Sequence, residues 1–413
     1  MIGAGLTSFL SPLFLLIVSR ELGLRDAGYF SLAFTTGVLL SNIGLFNVRS
    51  YQITDIHKNH SDAVYLNARI ATTTFMVLTL ILYSLTKISA PEQCAVILLL
   101  GLWRVPDVLA DVMHGTLQMN GRLDLAGKSL LLKSVLCTLV FGATVIWAQN
   151  LILACVLLVV VNMLVFVFYD IHNYRTFCPD HRTALNRESQ DLIRSCLPLF
   201  LISLFYAYLI NAPKYTIDLV STPEIQTIYS IIVLPAFVIW VVFLLILNPM
   251  LPGLAEHYFA HQTAAFNRKV RSLLLAIVAS CMVYLLFMYG VGIRIFSAAY
   301  DVQLISYRWE FLLAGIGSGF LCIATVYSYL LILIRQKYVL LFAYIGVTIL
   351  SAASSVYFVK KEAIFGATLS YLITTGLLML AMTTIFWIVD QNRKEEEGYE
   401  QEKETVSLPL PFV

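Results

Sequence analysis

Charge is what this sequence has least of: 13% of its residues are Asp, Glu, Lys or Arg, about half the share found in soluble domains. The formal net charge of +2 excludes the basic footprint of a nucleic-acid binder. Long hydrophilic stretches are missing too, and the short outer loops leave little space for the catalytic domain of a membrane glycosyltransferase, polymerase or ligase. There is no P-loop, no G-x-S-x-G and no dinucleotide fingerprint. The seven cysteines (94, 137, 155, 178, 196, 281, 322) are scattered, mostly within apolar runs and without paired spacing, so neither a disulfide framework nor a metal knuckle is read from them. His257 and His261 are spaced i, i+4, but in EHYFAH the glutamate of H-E-x-x-H is misplaced, and His57-x-x-His60 fares no better. No enzyme activity, metal or cofactor is expected.

What remains is hydrocarbon. The chain is 59% hydrophobic with a mean hydropathy of +0.81, the composition of an integral membrane protein. A bilayer core of about 30 Å takes roughly 20 apolar residues as helix. Twelve such runs are read, at 2-19, 27-47, 67-86, 94-115, 129-147, 150-169, 196-212, 226-248, 272-292, 309-333, 338-358 and 364-389. The fifth and sixth are joined by little more than Ala148 and Gln149, a tight helical hairpin. The expected fold is all-α and polytopic, with twelve transmembrane helices.

Lysine and arginine test the division, because cytoplasmic connections are enriched in both. With the N-terminus inside, eighteen of the 27 fall on the cytoplasmic side and eight outside. The remaining one, Arg104, lies close to the middle of a span. Both termini are therefore expected inside. All seven histidines fall on or near the same side, which the rule does not require. The first run begins almost at Met1 without a basic flank and without a small-residue cleavage site, so it is read as a retained span rather than a signal peptide.

The longest internal hydrophilic break, DIHNYRTFCPDHRTALNRESQDLIRS at 170-195, follows the sixth run. It divides the chain into a six-helix lobe at 1-169, a cytoplasmic linker and a second six-helix lobe at 196-389. Two lobes entering from the same side permit an arrangement of parallel repeats about a central cavity. Ser19-Arg20 and Asn211-Ala212-Pro213-Lys214 each place a cation at the outer edge, a faint internal echo. The tail 390-413 is acidic, low in complexity and ends in prolines, and reads as disordered.

The stretch GLWRVPDVLADVMHG (101-115) carries charges where hydrocarbon is required. With Arg104 at zero on a helical wheel, Asp107 lies at about −60°, Asp111 at about −20°, His114 at about −80° and Gln118 at about −40°. One face is polar, while Leu102, Val105, Leu109, Val112 and Met113 occupy the other. A charge at mid-span costs at least about 2.5–3.5 kcal/mol, so such residues face a bundle interior or a wet cavity. One reading pairs Arg104 with Asp107 or Asp111 within the helix. The other makes the stripe a wall of a substrate cavity, since pairing disposes of one aspartate and leaves the second over. Lys133, Arg69, and Lys214 with Asp218 are sparser candidates, each of which could instead snorkel to the headgroups. Pro106, Pro198, Pro235, Pro249 and Pro252 offer bending points.

Three stretches carry a resemblance: RSYQITDIHKNHSDAVYLNARIAT after the second run, DVMHGTLQMNGRLDLAGKSLLLKS joining the fourth and fifth, and NAPKYTIDLVSTPEIQTIYSIIVLPAFVI across the seventh and eighth. With ELGLRDAGYFSLAF in the first connection, they resemble the oligosaccharide flippase (polysaccharide transporter) family of the multidrug/oligosaccharidyl-lipid/polysaccharide (MOP) exporter superfamily, in span order over nearly the whole chain. The resemblance implies two six-helix lobes and alternating access. The implied cargo is an undecaprenyl-diphosphate-linked oligosaccharide moved between leaflets of the bacterial cytoplasmic membrane for cell-surface polysaccharide biosynthesis. It places Arg104, Asp107, Asp111 and His114 on a cavity-facing helix with Lys133 nearby, and Arg20, Asn211, Lys214 and Asp218 toward an outer gate. The implied partners are membrane lipid and the lipid-linked substrate, with functional coupling to a polymerase. The departure is the N-terminus, where a basic or polar lead-in is expected.

Physical chemistry agrees in outline. A polyprenyl tail stays in lipid, but sugar and diphosphate need replacement hydrogen-bond partners to cross. Arginine offers phosphate a forked donor, and aspartate accepts from sugar hydroxyls. The stripe's own net charge of −1 matches diphosphate poorly unless a carboxylate is protonated or cations converge from other spans. A protonatable Asp107 or Asp111 would also serve coupling to H+ or Na+. Those two aspartates keep a drug or organic-cation antiporter of the same superfamily open as the alternative. A third reading is an assembly protein with the stripe merely paired.

Overall fold

A computed structural model describes residues 2–55, 60–177, 187–260 and 262–406. Among them every regular element is helical. His57, Lys58, Cys178, His181, Arg182 and His261 lie outside the described residues. The helices, in chain order, are α1 (Ile2–Glu21), α2 (Leu24–Leu45), α3 (Val48–Thr54), α4 (Asp62–Leu85), α5 (Pro91–Trp103), α6 (Val105–Met119), α7 (Leu123–Ala148) and α8 (Leu151–Val165). A π-helical turn, Phe166–Asp170, leads from α8 into α9 (Ile171–Phe177). There follow α10 (Arg187–Leu209), α11 (Ala212–Val220), α12 (Pro223–Phe259), α13 (Thr263–Phe287), α14 (Ile293–Tyr300), α15 (Arg308–Leu333) and α16 (Lys337–Val406).

Each of the twelve apolar runs falls on helix, as lipid demands of a backbone with no water to satisfy it. Among the described residues, nine helices are long and apolar enough to cross a membrane, so the chain is a multi-pass membrane protein. The ninth contains two of the runs, separated by non-helical backbone at Glu362 and Ala363. The hairpin expected around Ala148 and Gln149 is present: Gln149 adopts a left-handed conformation at φ 46°, and the Asn150 side chain caps α8 by accepting from the Leu153 amide at 2.9 Å.

Three boundaries differ from the sequence reading. The fourth run is two helices rather than one, parted at Arg104, because Pro106 at the start of α6 has no amide hydrogen to continue the ladder. The 170-195 break begins and ends in helix: the sixth run continues through the π turn and α9, and α10 starts at Arg187. Asp170 therefore belongs to the bundle. Helix also continues to Val406, into the acidic tail that composition alone reads as disordered. Its Glu, Gln and Lys residues are good helix formers extending an existing helix, which removes the cost of nucleation.

Packing positions two opposed ends. The first core is aromatic, with Phe14 stacked on Phe141 at 4.3 Å and Phe30 edge-on to Phe14 at 6.2 Å. The second joins α10, α12, α13, α15 and α16 through Leu209, Leu247, Leu273, Leu331, Leu340 and Leu378, all deeply buried. At one end α2 meets the start of α12 backbone to backbone. A Cβ on Gly28 would lie 2.1 Å from the Pro223 carbonyl oxygen, so only glycine permits the approach. Thr227 donates to the Leu24 carbonyl at 2.6 Å and Ser31 bonds Ser230 at 2.6 Å along the same seam. At the opposite end α2 and α3 meet α10: Phe46 stacks on Phe200 at 4.0 Å, and Asn47 donates to the Leu199 carbonyl at 2.8 Å. Tyr51 donates to the Ser195 carbonyl at 2.6 Å, and partial burial raises its phenol above the ordinary range.

Candidate functional site

The polar face of α6 is built from below by its own spacing and from above by four other elements. Asp107, Asp111, His114 and Gln118 recur at helical intervals and so point the same way. The structure divides them between two sets of partners. Asp111 and Gln118 turn to α3 and α4. Arg49 places one guanidinium nitrogen 3.1 Å from Asp111 Oδ1 and another 3.0 Å from Gln118 Oε1. Arg69 donates to Asp111 Oδ2 at 2.7 Å and to the Gly44 carbonyl at 2.7 Å.

Asp107 and His114 turn instead to α7 and the π turn. Lys133 lies 3.2 Å from Asp107 Oδ1 and 2.8 Å from Asp170 Oδ2, and His114 Nε2 lies 3.1 Å from Asp170 Oδ1. This is a chain of four ionisable groups. His114, Lys133 and Asp170 are deeply buried, and Asp107 is its exposed end, with 31% of its side chain accessible. Neither Arg69 nor Lys133 snorkels; their side chains are 0% and 5% exposed.

Arg104 is the exception. The intrahelical pair with Asp107 or Asp111 that one of the two readings drew does not form, and among the described residues Arg104 has no ion pair at all. Its guanidinium instead lies 4.7 Å from the Phe34 ring centroid and 4.5 Å from that of Trp103, a cation–π pocket between α2 and the end of α5. It is half-buried. The charge count then changes sign. Arg49, Arg69 and Lys133 balance Asp107, Asp111 and Asp170, so the cations that the stripe lacks do converge from other helices, and Arg104 is the positive charge left over.

The outer-gate candidates are brought together only in part. Asp218 on α11 pairs closely with Lys87, in the turn between α4 and α5, and accepts from Gln93 Nε2 at 2.7 Å. Lys214, one turn earlier on α11, donates to Thr35 Oγ1 of α2 at 3.3 Å. Asn211 sits where α10 gives way to α11 and donates back to the Ala207 carbonyl at 3.0 Å. Arg20 stands apart, donating to the Ala298 carbonyl of α14 at 3.2 Å. Among the described residues no cluster of three or more His, Cys, Asp or Glu could hold a metal ion.

Sequence reasoning missed Arg49, Lys87, Gln93 and Asp170 as members of these groups. A signal was present for Arg49 alone: a stripe with net charge −1 inside a membrane demands cations from elsewhere.

No protein-family model matches the chain, and no curated protein matches its sequence. Solved structures do match. An inward-facing multidrug resistance MATE family transporter of the MOP superfamily superposes with a TM-score of 0.72 at 12% identity, over 94% of this chain and 95% of that one. Lipid II flippase MurJ, in an inward closed conformation, gives 0.71 at 12% identity over 92% and 86%. The fold is that of these MOP transporters. The Vibrio cholerae MATE transporter VcmN in its bent form gives 0.61 at 13% identity, covering 93% of each chain. An outward-facing MATE transporter of the superfamily gives 0.53 at 16% identity, over 96% of this chain and 94% of that one. These structural neighbours are membrane transporters and a flippase, and the likeness lies in the fold.

Proposed function

We propose that this chain is a flippase for an undecaprenyl-diphosphate-linked oligosaccharide, moving its saccharide from the inner to the outer leaflet of a bacterial cytoplasmic membrane to supply surface polysaccharide synthesis. The observation that carries the reading is the unpaired Arg104 within an otherwise neutralised cluster. A guanidinium packed against two aromatic rings and paired with no carboxylate keeps its N–H fork for an incoming group, the donor that matches a phosphate edge. Leaving one such charge unpaired in a membrane protein is costly, and an anion that arrives and departs offsets that cost while bound. Asp107, the exposed end of the buried chain, is placed to accept from sugar hydroxyls or to take up a proton during the cycle, with Asp111, His114 and Lys133 holding its surroundings.

The same reading has twelve spans in two six-helix lobes, both termini cytoplasmic, and a gate at the outer end made by Asn211, Lys214 and Asp218, with Arg20 at its margin. On this reading the close approach of Gly28 to Pro223 and the pairing of Asp218 with Lys87 support a gate that is shut. The higher superposition on inward-facing than on outward-facing neighbours supports this. Coupling to H+ or Na+ and to a polymerase belongs to the proposal.

Asp107, accessible and acidic, favours the second reading, an organic-cation antiporter. Proteoliposomes separate the two. A fluorescent undecaprenyl-diphosphate disaccharide is expected to become accessible to a membrane-impermeant quencher only in vesicles containing the protein. Vesicles that leave the lipid where it was, yet expel ethidium when a proton gradient is applied, would establish the antiporter instead.

A further inference from the structure

At the outer end, behind the Lys87–Asp218 pair, lies a cavity of about 130 Å³ between α2, α5, α11 and the start of α12. Tyr29, Gln93, Asp218, Ser221, Thr222 and Gln226 line it. Gln226 is 2% exposed, and among the described residues neither its amide nitrogen nor its amide oxygen has a hydrogen-bond partner. Leaving one buried polar atom unsatisfied costs about 1–3 kcal/mol, so a side chain with two such atoms facing a cavity is incomplete without an occupant.

The chemistry of the wall selects that occupant. A metal cation would satisfy the Gln226 oxygen and leave the NH2 group stranded, and the Lys87 ammonium already holds one oxygen of Asp218. An anion would meet the Asp218 carboxylate. An apolar group would satisfy neither amide atom. A hydroxyl answers both ends of an amide, donating to the oxygen and accepting from the nitrogen, and a second hydroxyl can donate to a remaining lone pair of Asp218. Tyr29 adds an aromatic wall. At about 30 Å³ per water the space holds roughly four waters. It is partly open, so it takes one hydroxylated edge of a pyranose ring while the rest of the ring stands in the mouth, and it is far below the 300–1,000 Å³ or so of a drug-sized site.

We propose that this cavity is a binding subsite for a single sugar ring, built on Gln226 and Asp218 and separate from the charged cluster around Arg104. The physiological ligand, a ring of the departing saccharide, rests on the flippase reading; the site itself does not.

Saturation-transfer NMR on the purified full-length protein tests it, with methyl glucoside, methyl galactoside and N-acetylglucosamine as probes, at up to about 100 mM because one ring held by a few hydrogen bonds binds in the millimolar range. Transfer to at least one probe is expected in wild type and in Arg104→Ala, reduced in Gln226→Asn and lost in Gln226→Leu. Transfer to none of them, or transfer that survives Gln226→Leu, overturns the site, as would Gln226-dependent broadening of the sodium-23 signal, which would make it a cation site. The two proposals fail separately. A protein that binds glycoside through Gln226 but moves no lipid-linked saccharide loses the flippase reading and keeps the subsite, while one that flips lipid and binds no glycoside loses the subsite alone.

Discussion

Arg104→Ala is expected to abolish flipping of the lipid-linked saccharide while leaving the protein inserted and as heat-resistant as wild type. The two halves of this expectation come from different contacts. For stability, the substitution removes cation–π contacts with Phe34 and Trp103, worth about 0.5–2 kcal/mol each, but it also removes a mid-span charge that costs at least about 2.5–3.5 kcal/mol. No carboxylate is left behind without its partner. For transport, each hydrogen bond to a charged phosphate lost with the guanidinium is worth about 1.5–3 kcal/mol, or about 10- to 100-fold in affinity. Arg104→Lys keeps the charge, loses the planar fork, and should retain a fraction of the rate. Flipping assays and thermal unfolding in one membrane mimetic measure both halves. A variant that fails to insert would make Arg104 structural, and one that flips at the wild-type rate would remove it from the substrate path.

The opposite pattern is expected at Arg69. Its side chain is fully buried and donates to both Asp111 and the Gly44 carbonyl, so Arg69→Met takes a charged donor from each and leaves the Gly44 carbonyl with Thr72 Oγ1 at 2.7 Å. Breaking one partner out of a buried pair typically costs about 3–5 kcal/mol, whereas replacing both by apolar or neutral groups is often close to neutral. Arg69→Met and Asp111→Asn should each unfold the protein at markedly lower temperature, and the double variant should recover at least half of the larger single loss. Asp111 keeps Arg49 on its other oxygen at 3.1 Å, which limits the cost of Arg69→Met relative to Asp111→Asn. Additive losses in the thermal-unfolding cycle would contradict the pairing. This contrast between Arg69, which holds the fold, and Arg104, which does not, separates structure from function within one charged cluster.

How much of this was readable in advance follows from where each interaction lives. Apolar runs are local, so the helices were legible, and helical spacing grouped Asp107, Asp111, His114 and Gln118 along α6, though their contacts divide them between α3 and α4 on one side and α7 and the π turn on the other. Their partners were not legible, because Lys133 is 26 residues from Asp107, Arg69 is 42 from Asp111 and His114 is 56 from Asp170. Packing sets such pairings, and sequence periodicity does not reach that far. Arg104 fell between the two cases. Its burial in a span was plain, but the wheel that put it beside Asp111 assumed an unbroken helix, and the break before Pro106 lets its side chain turn to Phe34 on α2 instead. Gln226 left no trace in the sequence, since one glutamine near a helix start is ordinary until its neighbours are known.

The reactivity of Arg104 tests the central claim most directly. In the native protein a water-borne arginine reagent, phenylglyoxal, should modify Arg104, read by peptide mass spectrometry, and undecaprenyl diphosphate added beforehand should protect it. An Arg104 that stays unmodified in every state of the working protein, or one that reacts equally fast with the lipid diphosphate present, would contradict it.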